Sequence, residues 1–267
     1  MMKIAVEYPS LVTLALESGE RVVPRGKACR SLKSQLLRFE PFPNVPKGIG
    51  FNKKFAIAEL MAVVAGYNNV AWLAQFNPNI ASFSDDGEIF HGHYGERLNA
   101  QWDDRIRLLR EDKDTRQAVF QIWDWGLDLI PGSKDYPCNV VFQIHRGFRD
   151  RFDMSVFQRS SDLIWGLPYD HFVFGCILEL ICIELGVETG HVVRYIADAH
   201  VYEPDVFYPK ERIDAAASCK EWGMWSPNTS FSHFLQSSIE VIQSQRDKKP
   251  LVTQAAKNLA KELGLCA

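Results

Sequence analysis

The chain has no long uncharged apolar run, no low-complexity tract, no internal repeat and no excess of one charge. Each lack removes a class of protein. Of its 267 residues, 30 are Lys or Arg and 33 are Asp or Glu, giving a formal net charge of −3. That balance argues against a nucleic-acid groove, which normally shows a basic face, but not against a small pocket of arginines. The longest apolar stretch, residues 172–187, is interrupted by Glu179 and Glu184. It is too short and too charged to span a bilayer and reads as a buried helix. The N-terminal residues 1–7 carry no signal-peptide pattern. Six cysteines (Cys29, Cys138, Cys176, Cys182, Cys219 and Cys266) are scattered, with no Cys-x-x-Cys pair and no metal-finger spacing. A cytoplasmic chain with reduced thiols is the expectation.

What is present suggests an α+β domain. Short strands and turns are expected over 11–38, around Pro24-Arg25-Gly26. A helix is expected over 55–73, a Gly, Asp and His-rich loop over 77–95, and a polar helix over 97–111. Residues 118–123, 139–145, 153–157 and 191–199 read as strands. Pro168 opens a long helix to residue 185, since proline favours the first turn. Two further helices, 232–245 and 252–263, close the chain. No linker is evident, so a single catalytic domain over 1–267 is expected.

Chemistry concentrates in Gln158-Arg159-Ser160-Ser161-Asp162-Leu163-Ile164-Trp165-Gly166-Leu167-Pro168-Tyr169-Asp170, with Pro137-Cys138 about twenty residues upstream. A reactive thiolate needs a nearby positive charge. Antiparallel pairing of 138–145 with 152–159 would bring Cys138 and Arg159 together. Arg25, Arg116, Arg159 and Ser160 suit bidentate and hydroxyl contacts to a phosphate. Glu59, if buried, could manage protons near neutral pH. His200 and Tyr202 alternate on one face of a strand that also carries Asp198. His91-Gly92-His93 lacks a third ligand nearby in sequence, and no metal is expected.

In order and approximate spacing, Asp114-Thr115-Arg116, Pro137-Cys138, the 158–170 run and Asp198-Ala199-His200-Val201-Tyr202 resemble the thymidylate synthase and pyrimidine nucleotide hydroxymethylase superfamily. Within it the chain is most similar in type to the (deoxy)cytidylate 5-hydroxymethylases. The resemblance implies a large mixed sheet covered by helices, with one sheet face forming a homodimer interface. It implies that Cys138 adds to C6 of a pyrimidine nucleoside monophosphate. C5 then attacks the one-carbon unit of the cosubstrate 5,10-methylenetetrahydrofolate, and water completes hydroxymethylation. Glu59 and Tyr94 would serve proton transfer. Arg25, Arg159 and Ser160 would hold the phosphate, with Arg116 supplied by the other subunit. His200 and Tyr202 would meet the sugar 3′-hydroxyl. Asp162 would hold the pterin, and Ile80 and Trp165 would line the folate cleft.

Departures from the family sharpen the expectation. Gln117 follows Arg116 where a second arginine is usual, and Asn139 follows the nucleophile where histidine is common. The 80–83 loop lacks the tryptophans that assist a later hydride transfer, which favours stopping at the hydroxymethyl stage. Asp170 stands where the family places a base-reading asparagine. An amide matches the N3–H and O4 of uracil. A carboxyl matches the N3 and N4 amino group of cytosine, and its ionised form repels O4. The expected activity is therefore C5 hydroxymethylation of CMP or dCMP. Alternatives are a synthase-type methyltransferase on dCMP or dUMP with folate as reductant, and a catalytically silent nucleotide-binding regulator. Asp170 could instead cap the following helix. Neither a nucleic-acid nor a membrane partner is expected.

Overall fold

The structure is a computed structural model that describes residues 7–39, 44–46, 48–204, 208–219 and 222–265. Residues 1–6 and Cys266 lie outside the described residues. In chain order the elements are α1 (Tyr8–Ser18), β1 (Glu20–Val22), β2 (Cys29–Phe39), β3 (Asn44–Pro46), α2 (Lys53–Ala65), α3 (Val70–Ala74), α4 (Gly95–Glu111) and β4 (Val119–Gln121). There follow β5 (Asn139–Arg146), β6 (Phe152–Gln158), β7 (Ser161–Asp162), α5 (Leu167–Leu185), β8 (Thr189–Tyr202), α6 (Lys210–Ala217), β9 (Trp222–Met224), α7 (Phe231–Asp247) and α8 (Gln254–Leu263). The chain forms two compact units, the first comprising residues 1–51, 138–179 and 187–226 and the second the remainder.

The first unit is built on a mixed sheet in which β1, β2, β8, β6 and β5 lie side by side, with β7 also paired to β8. β2 and β8 are antiparallel, whereas β6 and β7 run parallel to β8. Parallel neighbours need a crossover, and the apolar helix α5 supplies it between β7 and β8. Its residues from Leu167 to Leu178 are buried except the half-buried Asp170, as expected of a core helix. Tyr8, Leu11, Val12 and Ala15 of α1 form a helical stripe packed with Leu37, Phe39, Leu163, Ile196 and Val201. Each Leu, Val, Ile or Phe among them, fully buried, contributes about 1.5–3 kcal/mol.

The second unit carries α2, α3, α4, β4, α7 and α8. Trp102 of α4 stacks on Phe231 of α7 with ring centroids 3.8 Å apart. The guanidinium of Arg97 donates to both carboxylate oxygens of Asp128 at 2.6 and 2.8 Å, and both side chains are nearly buried.

Three expectations need correction. Residues 11–18 belong to helix α1, not to a strand, because Pro9 sits in its first turn, where a missing N–H is harmless. The helix expected over 55–73 is two helices. Gly66 ends α2 in the left-handed conformation (φ 65°), its N–H bonded to Ala62 and Val63 carbonyls. The strand expected over 118–123 shrinks to the three residues of β4.

Candidate active site

Cys138 immediately precedes β5, and Arg159 immediately follows β6. The two strands pair antiparallel with Asn139 opposite Gln158, and the Arg159 N–H donates to the Cys138 carbonyl at 2.9 Å. The pairing expected from sequence is therefore the observed one. It works because β6 and β7 are interrupted: Arg159 and Ser160 leave the ladder between them, half-buried, beside the half-buried Cys138. Burial pushes the Cys138 thiol up to about 11, and the cations Arg159 and Arg25 pull it back only in part. Arg159 pulls in the direction expected from sequence, but burial outweighs it, so the arginine does not by itself produce a thiolate at neutral pH.

Asp170 lies in the first turn of α5, and its own N–H donates to Gly166 within the helix start. Its side chain does not cap that helix. Asn139 Nδ2 donates to Oδ1 at 2.9 Å and Gln158 Nε2 donates to Oδ2 at 2.6 Å. Arg194 of β8 donates from Nη1 to Asn139 Oδ1 at 3.0 Å and from Nη2 to the Asp170 carbonyl at 2.8 Å. Asn139, Gln158 and Arg194 are all fully buried. Burial raises the Asp170 carboxyl, opposed by Arg194 and the two amide donors. The result is a carboxyl with defined orientation and, on each oxygen, a lone pair not used by these amides.

The 198–202 segment lies inside the sheet of the first unit, between β2 and β7. Asp198, His200 and Tyr202 alternate along β8, opposite Lys33, Ser31 and Cys29 of β2. Burial opposes ionisation of Asp198, but hydrogen bonds from His200, Lys33 and Ser31 outweigh it and hold the carboxyl well below the usual range. His200 Nδ1 lies 3.5 Å from Asp198 Oδ1 and its ring meets Tyr202 edge-on at 4.9 Å. Burial pushes Tyr202 up to about 12, so it stays a neutral hydroxyl. Lys27 lies 4.5 Å from the centre of the Tyr202 ring. Arg25 is exposed in a tight turn at φ 51°, and its charge acts on both Cys138 and Tyr202.

Asp162, facing His200 across the β7–β8 pair, organises the turn that follows. Its Oδ1 accepts from Ile164 N at 2.9 Å, Trp165 N at 3.1 Å and the Tyr208 hydroxyl at 2.8 Å. Its Oδ2 accepts none among the described residues. Trp165 is half-buried with the Arg212 guanidinium 3.4 Å from its ring centre. Cys138, Arg159, Ser160, Asp162, Trp165, Asp170, His200, Tyr202 and Arg25 thus all belong to the first unit.

Glu59, Tyr94, Arg116 and Ile80 are carried by the second unit. Glu59 is half-buried in α2, the one charged residue of its 55–65 stretch. Tyr94 precedes α4, half-buried. Ile80 lies in a short 3-10 turn, Pro78–Phe83, and Arg116 is exposed after the turn at 112–115. His93, beside Tyr94, is half-buried and neutral, its pKa lowered to about 4 by burial of its ring and by Arg97. Its Nδ1 accepts from Gly95 N at 3.2 Å, a structural use of a residue considered as a metal ligand.

Reading the sequence missed Arg194. The signal was available: in Val192-Val193-Arg194-Tyr195-Ile196, the arginine shares the inward phase with Val192 and Ile196, both buried. A charge on the buried phase of a strand needs partners. Here they are Asn139 and the Asp170 carbonyl.

The mixed-sheet α+β unit thus sets a half-buried cysteine beside an arginine, with a half-buried, hydrogen-bonded carboxyl acting on that cysteine. The chain belongs to the thymidylate synthase family, whose profile matches residues 6–253. It is similar to a protein named deoxyuridylate hydroxymethyltransferase from Bacillus phage SP01, 33% identical over 220 residues, covering 74% of this chain and 57% of that one. Proteins of the same name from Pseudomonas phage M6 and Delftia phage PhiW-14 are 38% and 35% identical over 160 and 161 residues. Those matches cover 57% and 55% of this chain and 45% of each relative. The chain thus spans about half the length of the curated relatives it matches.

Proposed function

We propose that the protein is a folate-dependent pyrimidine nucleotide C5 hydroxymethyltransferase that prefers a cytosine nucleotide. The observation that carries the base assignment is the side chain of Asp170, turned away from capping its helix and held by amide donors on both oxygens. A carboxylate so held offers acceptors to the cytosine amino group and to N3 once it is protonated in the covalent adduct. Negative charge there favours the species formed after nucleophilic attack, which is differential stabilisation. It repels uracil O4.

In this reading Cys138 adds to C6, and Glu59 and Tyr94 handle protons at the base. Arg25, Arg159 and Ser160 bind the phosphate, and His200 and Tyr202 bind the sugar. Methylenetetrahydrofolate, as cosubstrate, supplies the one-carbon unit. Asp162 fits its pterin, since Oδ1 is fully used by the turn while Oδ2 remains an acceptor for ring N–H donors. Trp165 and Ile80 supply apolar surface. No metal is invoked.

We further propose a single catalytic domain acting as a homodimer in the cytoplasm, with Arg116 reaching the partner's phosphate site. Phe157 and Tyr195, cross-strand neighbours on β6 and β8, stack at 5.3 Å and remain exposed. Such a pair suits a sheet face covered by a second copy. No described helix is long and apolar enough to cross a membrane.

A second reading, a deoxyuridylate substrate, is favoured by the names of the similar phage proteins. Tritium release from C5 of CMP, dCMP and dUMP separates the two. Faster release from a cytosine nucleotide without dihydrofolate is expected. Preference for dUMP overturns the base assignment, accumulating dihydrofolate overturns hydroxymethylation, and no release from any nucleotide leaves a binding protein.

A further inference from the structure

Among the described residues, Arg194 is the largest side chain that is fully buried. Removing a guanidinium from water costs several kcal/mol unless its donors are satisfied, so its placement has to be accounted for. It stands on β8 opposite Leu37 of β2 and beside Val156 of β6, with its charge 4.8 Å from the Phe174 ring centre. Two of its hydrogen bonds lead to Asp170, one directly to the backbone carbonyl and one through Asn139. We propose that Arg194, acting through Asn139, is a positioning residue that fixes the amide orientation and the charge state of Asp170, and so sets which pyrimidine is accepted.

A side-chain amide has a donor end and an acceptor end. Arg194 can only donate, so Asn139 must turn Oδ1 toward it and Nδ2 toward Asp170. Two amide donors on a carboxyl favour its ionised form. Gln158 provides the second, while its own Oε1 is buried without a hydrogen bond, so Gln158 has no comparable lock on its orientation. The titratable groups facing Asp170 are otherwise neutral. Burial raises the Cys138 thiol on the β5 side, and burial with Arg194 depresses His171, the next residue on α5. Arg194 supplies the positive charge that opposes the upward effect of burial on Asp170. Without it Asn139 can flip, present its carbonyl, and favour a protonated carboxyl. A protonated carboxyl pairs with cytosine or uracil, whereas the ionised form rejects uracil.

This inference rests on the proposed base-reading role of Asp170, and the test separates the two. The ratio of kcat/KM for C5 tritium release from dCMP and dUMP is measured from about pH 5.5 to 9, across the histidine and neutral range. The wild type, Arg194→Met, Arg194→Lys, Asn139→Ala and Asp170→Asn are compared. The preference for cytosine follows the ionised fraction of Asp170. Arg194→Met and Asn139→Ala move its rise with pH upward by about one pH unit, which lowers the ratio about tenfold at any pH on that rise. Arg194→Lys, which keeps the charge, recovers part of the shift. If Arg194→Met fails to fold, Asn139→Ala carries the test alone. An unmoved profile in the Arg194 and Asn139 variants, with the ratio changed in Asp170→Asn, overturns this proposal and leaves the base assignment standing. An unchanged ratio in Asp170→Asn overturns both.

Discussion

The thiol of Cys138 gives the sharpest quantitative expectation. Its surroundings push its pKa up to about 11, with burial outweighing Arg159 and Arg25. At pH 7 the free enzyme then holds about one part in ten thousand as thiolate, and each added pH unit raises that fraction about tenfold. Alkylation by iodoacetamide requires the thiolate. The rate constant for labelling Cys138, followed by mass spectrometry of its peptide, is therefore expected to rise about a hundredfold between pH 7 and 9 without levelling. Arg159→Gln removes the larger favourable charge and lowers the rate at every pH. A plateau below about pH 8, or labelling unaffected by Arg159→Gln, would refute the account of this cysteine. The same reasoning says that activation belongs to the nucleotide complex, where a proton acceptor or a reorganised environment must supply what Arg159 alone does not.

Other consequences follow from named contacts. Asp170→Asn should shift preference toward uracil by about tenfold to a hundredfold, the cost of mismatching one buried polar pair, read as the dUMP to dCMP ratio of kcat/KM. In the same variant one of the amide donors from Asn139 or Gln158 meets another donor, so the urea midpoint should fall by the equivalent of about 1 kcal/mol. Asp128→Ala strands the nearly buried Arg97 and should cost about 3–5 kcal/mol by denaturant titration. The depressed carboxyl of Asp198 contributes stability that is present above its unfolded value of about 4 and is lost as pH falls below it. The acid limb of the stability profile should therefore flatten in Asp198→Asn, measured as urea midpoints at mildly acid and strongly acid pH.

What the sequence made legible was local or carried by short-range pairing. Alternation and the run of apolar residues before Glu179 were enough for β5, β6, β8 and α5, and antiparallel pairing correctly brought Cys138 to Arg159. Helix α1 was missed because Pro9 and Ser10 look like a turn; only its packing against β2 and β8 selects the helical stripe of Leu11, Val12 and Ala15. The break at Gly66 was missed because one glycine costs an apolar helix only about 1 kcal/mol, so sequence alone does not decide whether it interrupts. The lock on Asp170 depends on four residues from β5, β6, α5 and β8, brought together only by the sheet order. No spacing rule reports that.

The central claim is that Cys138 forms a covalent bond to the C6 of a cytosine nucleotide held by Asp170. Incubation with methylenetetrahydrofolate and the 5-fluoro derivatives of dCMP, CMP and dUMP tests it directly, since fluorine at C5 cannot depart as a proton does and the adduct stalls. Mass spectrometry of the Cys138 peptide should show the added mass with a fluorocytosine nucleotide and much less with fluorodeoxyuridylate. An unmodified Cys138, or an adduct formed with the uracil analogue alone, would contradict the account.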